Sequence, residues 1–149
     1  MNIPYWCLRI ATLGPVGYFI ASGTVATLVT LPLVYWLHSF GMNQWWYLVL
    51  VALLYALGIL IISKALEEFK RHEDPSEIVF DEVVACLLVF WGIALSPQSV
   101  LVGFLLFRAL DIIKIGWVKQ AENLLGAWGI MSDDIIAAFL TNLVLRLLF

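Results

Sequence analysis

Charge is what this sequence has least of. Lys, Arg, Asp and Glu together make up 13% of its 149 residues, about half their share in an average soluble protein. Eight basic and eleven acidic residues cannot cover the surface that a domain of this size leaves to water, which excludes a soluble globular protein. A nucleic-acid partner is excluded as well, because that would need a basic face. Two cysteines, Cys7 and Cys86, are too few for a disulfide framework. The two histidines, His38 and His72, have no Cys or His partner at zinc spacing. In the first dozen residues the one cation, Arg9, follows an apolar start; a cleavable signal peptide has the opposite order. Repeats, low-complexity tracts and internal boundaries are also missing, so residues 1–149 are expected to form a single domain.

Apolar residues fill the space that charge leaves. They are 63% of the chain, against about 45–50% in an average soluble protein, and mean hydropathy is +0.99. The expected fold class is all-α, an integral membrane helical bundle of about five segments, each near the roughly 20 residues that a span requires. The segments are Ile20 to Leu37, Trp45 to Ser63, Ile78 to Leu95, Ser99 to Ile115 and Ile130 to Leu148. The fourth contains Arg108 and Asp111. Residues 1–19 are apolar but broken by Pro4, Gly14, Pro15 and Gly17, a pattern for an interfacial or re-entrant piece. Tyr35-Trp36 and Trp45-Trp46-Tyr47 flank the 38–44 turn as an aromatic belt does. Ser96-Pro97-Gln98 reads as a tight turn, and Asp74-Pro75-Ser76-Glu77 as a helix start with a capping box.

Five spans put alternate loops on opposite sides. Arg9, Lys64, Lys70, Arg71, Arg108, Lys114 and Lys119 gather on one side and only Arg146 near the other, so the first side is expected to be cytoplasmic. All eleven acids fall on that same side. The orientation rule does not ask for this, because Asp and Glu contribute little to it. Three expected helix ends bring carboxylates together there: Asp81-Glu82, Asp111 and Asp133-Asp134. Ionisable groups within spans are costly and usually mark a functional site. Carboxylates crowded together call for protons or a cation between them, and hard oxygen donors suit Mg²⁺, Mn²⁺ or Ca²⁺. Arg108 and Lys114 beside them suggest a phosphate, which Arg binds as a fork and Lys as a point charge. A metal held by the carboxylates would polarise the phosphoryl group and activate water.

Plainer readings fit some of the same residues. Asp81-Glu82 and Ser132-Asp133-Asp134 suit early helix turns, and Arg108 with Asp111 suits a buried ion pair. Glu67, Glu68, Lys70 and Arg71 suit a solvated helix end. A cation transporter or channel component, and a non-catalytic membrane scaffold with a carboxylate cluster, are the alternative functions. The transporter would need polar residues through the whole bilayer depth, and the far turns carry no carboxylate. Several phosphatase chemistries are absent. Neither cysteine has an Arg six positions on, no Asp-x-Asp nucleophile follows a strand, and the His-dependent lipid phosphatase pattern is missing. The Asp-Gly-x2-Ala-Arg stretch of CDP-alcohol phosphatidyltransferases is missing too. Metal-activated water or a carboxylate nucleophile remains.

Four blocks occur in order: Gly23-Thr24-Val25-Ala26-Thr27-Leu28, Ile78-Val79-Phe80-Asp81-Glu82, Phe107-Arg108-Ala109-Leu110-Asp111-Ile112-Ile113-Lys114 and Gly126-Ala127-Trp128-Gly129-Ile130-Met131-Ser132-Asp133-Asp134. Together they resemble the bacterial phosphatidylglycerophosphatase A family from about residue 20 onward. The resemblance implies a Mg²⁺-dependent lipid phosphatase, multi-pass in the bacterial inner membrane, with its site facing the cytoplasm and a phospholipid as substrate. It would convert phosphatidylglycerophosphate to phosphatidylglycerol and inorganic phosphate. The matching polar positions are Thr24, Asp81, Glu82, Arg108, Asp111, Lys114, Asp133 and Asp134. On chemical grounds Asp81, Glu82, Asp133 and Asp134 are assigned to Mg²⁺, and Arg108, Lys114 and Thr24 to the substrate. Asp111 is given the orientation of Lys114 or the role of base, and Asp111 and Asp134 the catalytic work. The chain departs from the family pattern at Lys114-Ile115-Gly116-Trp117, where Lys-Pro-x-Pro is usual, at Ala26-Thr27 for Gly-Ser, and at Gly126-Ala127 for Gly-Gly.

Overall fold

A computed structural model describes residues 5–69, 75–114, 116–122 and 124–149. Within them the chain is helical, with no strand. The elements are α1 (Tyr5–Ala11), a 3-10 turn (Val16–Tyr18), α2 (Ser22–Ser39), α3 (Gln44–Phe69), α4 (Phe80–Val89), α5 (Pro97–Ile113), α6 (Trp117–Glu122) and α7 (Ala127–Leu148).

The third expected segment differs most from its sequence pattern. In place of a continuous helix over Ile78 to Leu95, α4 has 10 residues, about 15 Å at 1.5 Å per residue. It packs on α2, α3, α5 and α7, and every residue from Val84 to Phe90 is buried. A helix apolar all round is a core element, and here the other long helices enclose it. Its carboxyl end stops inside the bundle at Phe90–Gly92, with Gly92 at φ +67. Two of the freed carbonyls find donors: Asn142 Nδ2 donates to Val89 O (2.9 Å) and Trp91 O (2.8 Å). Arg146 Nη2 also donates to Trp91 O. Gly103 lets α5 close over this end, since a Cβ there would lie 2.8 Å from the Phe90 ring.

Ser96-Pro97-Gln98 is not a free turn but the start of α5. Ser96 accepts from Ser99 N (3.1 Å), and Ser99 Oγ accepts from Ser96 N (2.9 Å). This is a capping box with serine at both positions, and Pro97 occupies the first turn, where no N–H is needed. Glu77 lies in the turn ahead of α4 and not in a helix, so it does not share a helical face with Asp81. Asp74, the other half of that expected capping box, lies outside the described residues, as do Lys70 and Arg71 of the expected solvated helix end. The amino-terminal piece is also tied in. α1 lies on α3 with Cys7 and Ala11 buried, and Ala11 O accepts from Val79 N (2.9 Å).

Among the described residues one helix segment, Gln44–Glu67, is long and apolar enough to cross a membrane, with mean hydropathy 2.4. Apolar side chains line much of the outside: Leu53, Leu60, Leu101, Leu105, Leu147 and Leu148 are all more than half exposed.

Candidate active site

The polar groups converge at one end of the bundle. The first turn of α4 supplies Asp81 and Glu82, the last turns of α5 supply Arg108, Asp111 and Lys114, and the second turn of α7 supplies Asp133 and Asp134. With Ala21, Ser22 and Gly23 at the start of α2, and Ser76 and Ile78 from the loop before α4, most of these side chains line a cavity of about 210 Å³. α2 enters it without a side-chain cap, from Ala21 in the left-handed conformation (φ 57, ψ 48). The first N–H groups of a helix have no partner within the helix, and that end carries positive partial charge.

Carboxylate oxygens of Asp81, Glu82 and Asp134 lie within 4.8 Å of one another. Asp81 and Asp134 are 6% and 3% exposed, so their charges have lost most of their hydration. Buried Glu82 Oε2 and Asp134 Oδ2 have no hydrogen-bond partner among the described residues. Orphaned acceptors at this depth are rare in folded proteins and call for an explanation. The cations are held from the side. Arg108 Nη1 donates to Asp111 Oδ2 (2.6 Å) and stands 3.9 Å from Glu82 Oε1. Lys114 ends α5 in the left-handed region (φ 46, ψ 62), and its Nζ donates to Asp133 Oδ2 (2.7 Å). Asp133 Oδ1 accepts from Asp134 N (2.9 Å).

Of the sequence-predicted residues, Asp81, Glu82, Arg108, Asp111, Lys114 and Asp134 all line the one cavity. Asp133 is buried behind Lys114, and Asp111 pairs with Arg108. Lys114, for which the sequence suggested Asp111 as the orienting acid, forms an ion pair with Asp133. Thr24 is half-buried on the first turn of α2, while Ser22 and Gly23 are the α2 residues on the cavity wall. Ser22 Oγ donates to Ser76 O (2.6 Å) and ties α2 to the loop before α4. Gly23 is not among the site residues assigned from the sequence. Its position at the head of the first shared block was the available signal.

The profile of the phosphatidylglycerophosphatase A family matches residues 9–149. The chain belongs to this family. Among relatives, it is 36% identical over 100 residues to a phosphatidylglycerophosphatase A of Haemophilus influenzae, covering 66% of this chain and 61% of that one. It is 29% identical over 126 residues to the phosphatidylglycerophosphatase A of Escherichia coli, covering 82% and 70%. A Bacteroides thetaiotaomicron protein provisionally named a phosphatidylinositol-3-phosphatase is 32% identical over 120 residues, covering 78% and 74%. No solved structure matches the chain. One departure from the family pattern, Ala127, falls where the backbone does not require glycine. Gly126 holds φ +61, whereas Ala127 is the first residue of α7 and needs no such freedom. After Lys114 the chain turns through Gly116 at φ +58.

Proposed function

We propose that the chain is a Mg²⁺-dependent phosphatase that hydrolyses the phosphomonoester of phosphatidylglycerophosphate to phosphatidylglycerol and inorganic phosphate. The observation that carries this reading is one cavity in which Asp81, Glu82 and Asp134 face Arg108 and Lys114. Acids alone would serve a cation and bases alone an anion. The two sets together suit a phosphate ester beside a divalent cation.

The donor set fits that cation. Asp81, Glu82 and Asp134 offer hard oxygens suited to Mg²⁺, and the orphaned Glu82 and Asp134 oxygens are acceptors a cation would satisfy. Bound there, Mg²⁺ supplies Lewis-acid charge for the phosphoryl oxygens and for water. The chain's own residues do the rest. Arg108 and Lys114 bind phosphate oxygens and are held in place by Asp111 and Asp133. The free N–H groups at the start of α2 add donors on the same wall. Asp111, which lines the same cavity as Asp134, takes the proton of the attacking water as its oxygen bonds to phosphorus, and returns that proton to the glycerol oxygen, which leaves as an alcohol when its bond to phosphorus breaks. At about 210 Å³ the cavity falls below the roughly 300–1,000 Å³ of drug-sized sites. It admits a headgroup and leaves the acyl chains in the bilayer.

In this reading the protein is one domain, multi-pass in the bacterial inner membrane. α2, α3, α5 and α7 enclose α4 and the Phe90–Ser96 stretch as the third segment. Irregular backbone at membrane depth is tolerated where protein buries it, and Asn142 and Arg146 supply the donors. The basic residues gathered at the carboxylate end put that end in the cytoplasm.

The test is phosphate release by detergent-purified protein, with Mg²⁺ and with EDTA. Phosphatidylglycerophosphate, phosphatidylinositol 3-phosphate and phosphatidic acid are compared. Release from the first alone, abolished by EDTA and reduced more than about 100-fold by Asp81→Asn or Asp134→Asn, is expected. Equal release from all three would overturn the headgroup assignment. Full activity in both variants would overturn the site.

A further inference from the structure

Gly23 lies where charged ends from two other helices meet. A Cβ built on it would overlap Glu82 Oε1, from α4, and lie 3.0 Å from both Nη1 and Nη2 of Arg108, from α5. Backbone conformation does not demand glycine here, because Gly23 is the second residue of α2 and is not among the positive-φ glycines. On helix propensity alone alanine would be the better residue. What glycine supplies is space. The Glu82 side chain is 13% exposed, and the space open to its flexible end is the cavity it lines. A methyl group at position 23 would push it out of the set it forms with Asp81 and Asp134.

We infer that Gly23 is a positioning residue of the site: its missing side chain is the space that seats the Glu82 carboxylate against Arg108 and within the cation-binding carboxylates. The inference rests on the cation reading above and adds a residue that touches neither cation nor substrate in its argued role. Propensity and function pull in opposite directions at this position, which makes the role separable from a packing role.

The experiment is thermal unfolding of the full chain in detergent, over a Mg²⁺ series from an EDTA baseline. Wild type, Gly23→Ala, Glu82→Asp and the double variant are compared. A ligand that binds only the folded state raises the unfolding midpoint with its concentration. Gly23→Ala is expected to keep its EDTA midpoint and to need at least tenfold more Mg²⁺ for half-maximal stabilisation. Shortening the acid by one methylene restores room, so the double variant should bind Mg²⁺ more tightly than Gly23→Ala. An unchanged Mg²⁺ response in Gly23→Ala overturns the inference, as does a double variant no better than Gly23→Ala. If Gly23→Ala fails to fold, the double variant decides: folding with a Mg²⁺ response supports the inference, and failure to fold assigns Gly23 to packing. A wild type that ignores Mg²⁺ overturns the cation reading itself and the inference with it. A wild type that responds while Gly23→Ala matches it overturns the inference alone.

Discussion

Asp134 is 3% exposed, lines the same cavity as Asp111, and has an oxygen with no hydrogen-bond partner among the described residues. Like charges gathered in a place shielded from water repel, so without a cation this arrangement costs stability. Asp134→Asn removes one of those charges while keeping the shape. It is expected to raise stability in EDTA by about 0.5–2 kcal/mol, within the range typical of relieved strain at a functional site. The same change should abolish the Mg²⁺-dependent rise in unfolding midpoint. Loss of stability in EDTA would instead mark Asp134 as a structural acid. At this scale the sequence was informative about residue type and much less so about partnership. Seven charged positions could be picked out because charge is rare in so apolar a chain. Arg108 and Asp111, three apart on α5, form the pair their spacing suggested, whereas the pairing of Lys114 with Asp133, 19 positions on, depends on how α5 and α7 face each other. The same holds for Gly23, which looks like any small packing residue until Glu82 and Arg108 are seen against it.

Among the elements, α4 departs furthest from its sequence pattern. Its apolar run continues past Val89, but the helix does not, and the end is satisfied from α7. Asn142 is 1% exposed; its amide serves two carbonyls, and its Oδ1 accepts from Arg146 Nε (2.8 Å). Asn142→Leu, of similar volume, would leave those buried groups short of partners at about 1–3 kcal/mol for each. The expected outcome is a lowered unfolding midpoint with phosphatase activity per folded molecule kept, since Asn142 lies at the end remote from the carboxylates. Loss of activity at unchanged stability would contradict the assignment. The start of α5 shows the reverse case. Ser96 and Ser99 carry a local capping signal that sequence inspection passed over for a turn, because the usual box ends in Glu or Gln. The acids of α7 sit in its second turn and not its first, because the helix begins at Ala127, ahead of the start that Ser132-Asp133-Asp134 suggested.

For the whole molecule, the proposed orientation rests on charge. Ser39 and Gln120 are exposed and lie at opposite ends of the bundle, and the two native cysteines are buried. In intact cells, a membrane-impermeant thiol reagent is expected to label Ser39→Cys from outside. Gln120→Cys should react only after the membrane is opened; the opposite pattern would reverse the topology. By itself the sequence determined the all-helical class, the apolar character of the chain and the end of the molecule at which the acids and bases gather. Those follow from composition and from charge counted along the chain, which need no knowledge of packing. Only the tertiary structure decided that the third apolar run is a short enclosed helix. It likewise decided that Lys114 meets Asp133 across α5 and α7, and that Gly23 leaves space which the Glu82 carboxylate fills. Each of these is a contact between residues far apart in sequence, and hydrophobic periodicity carries no record of which faces meet.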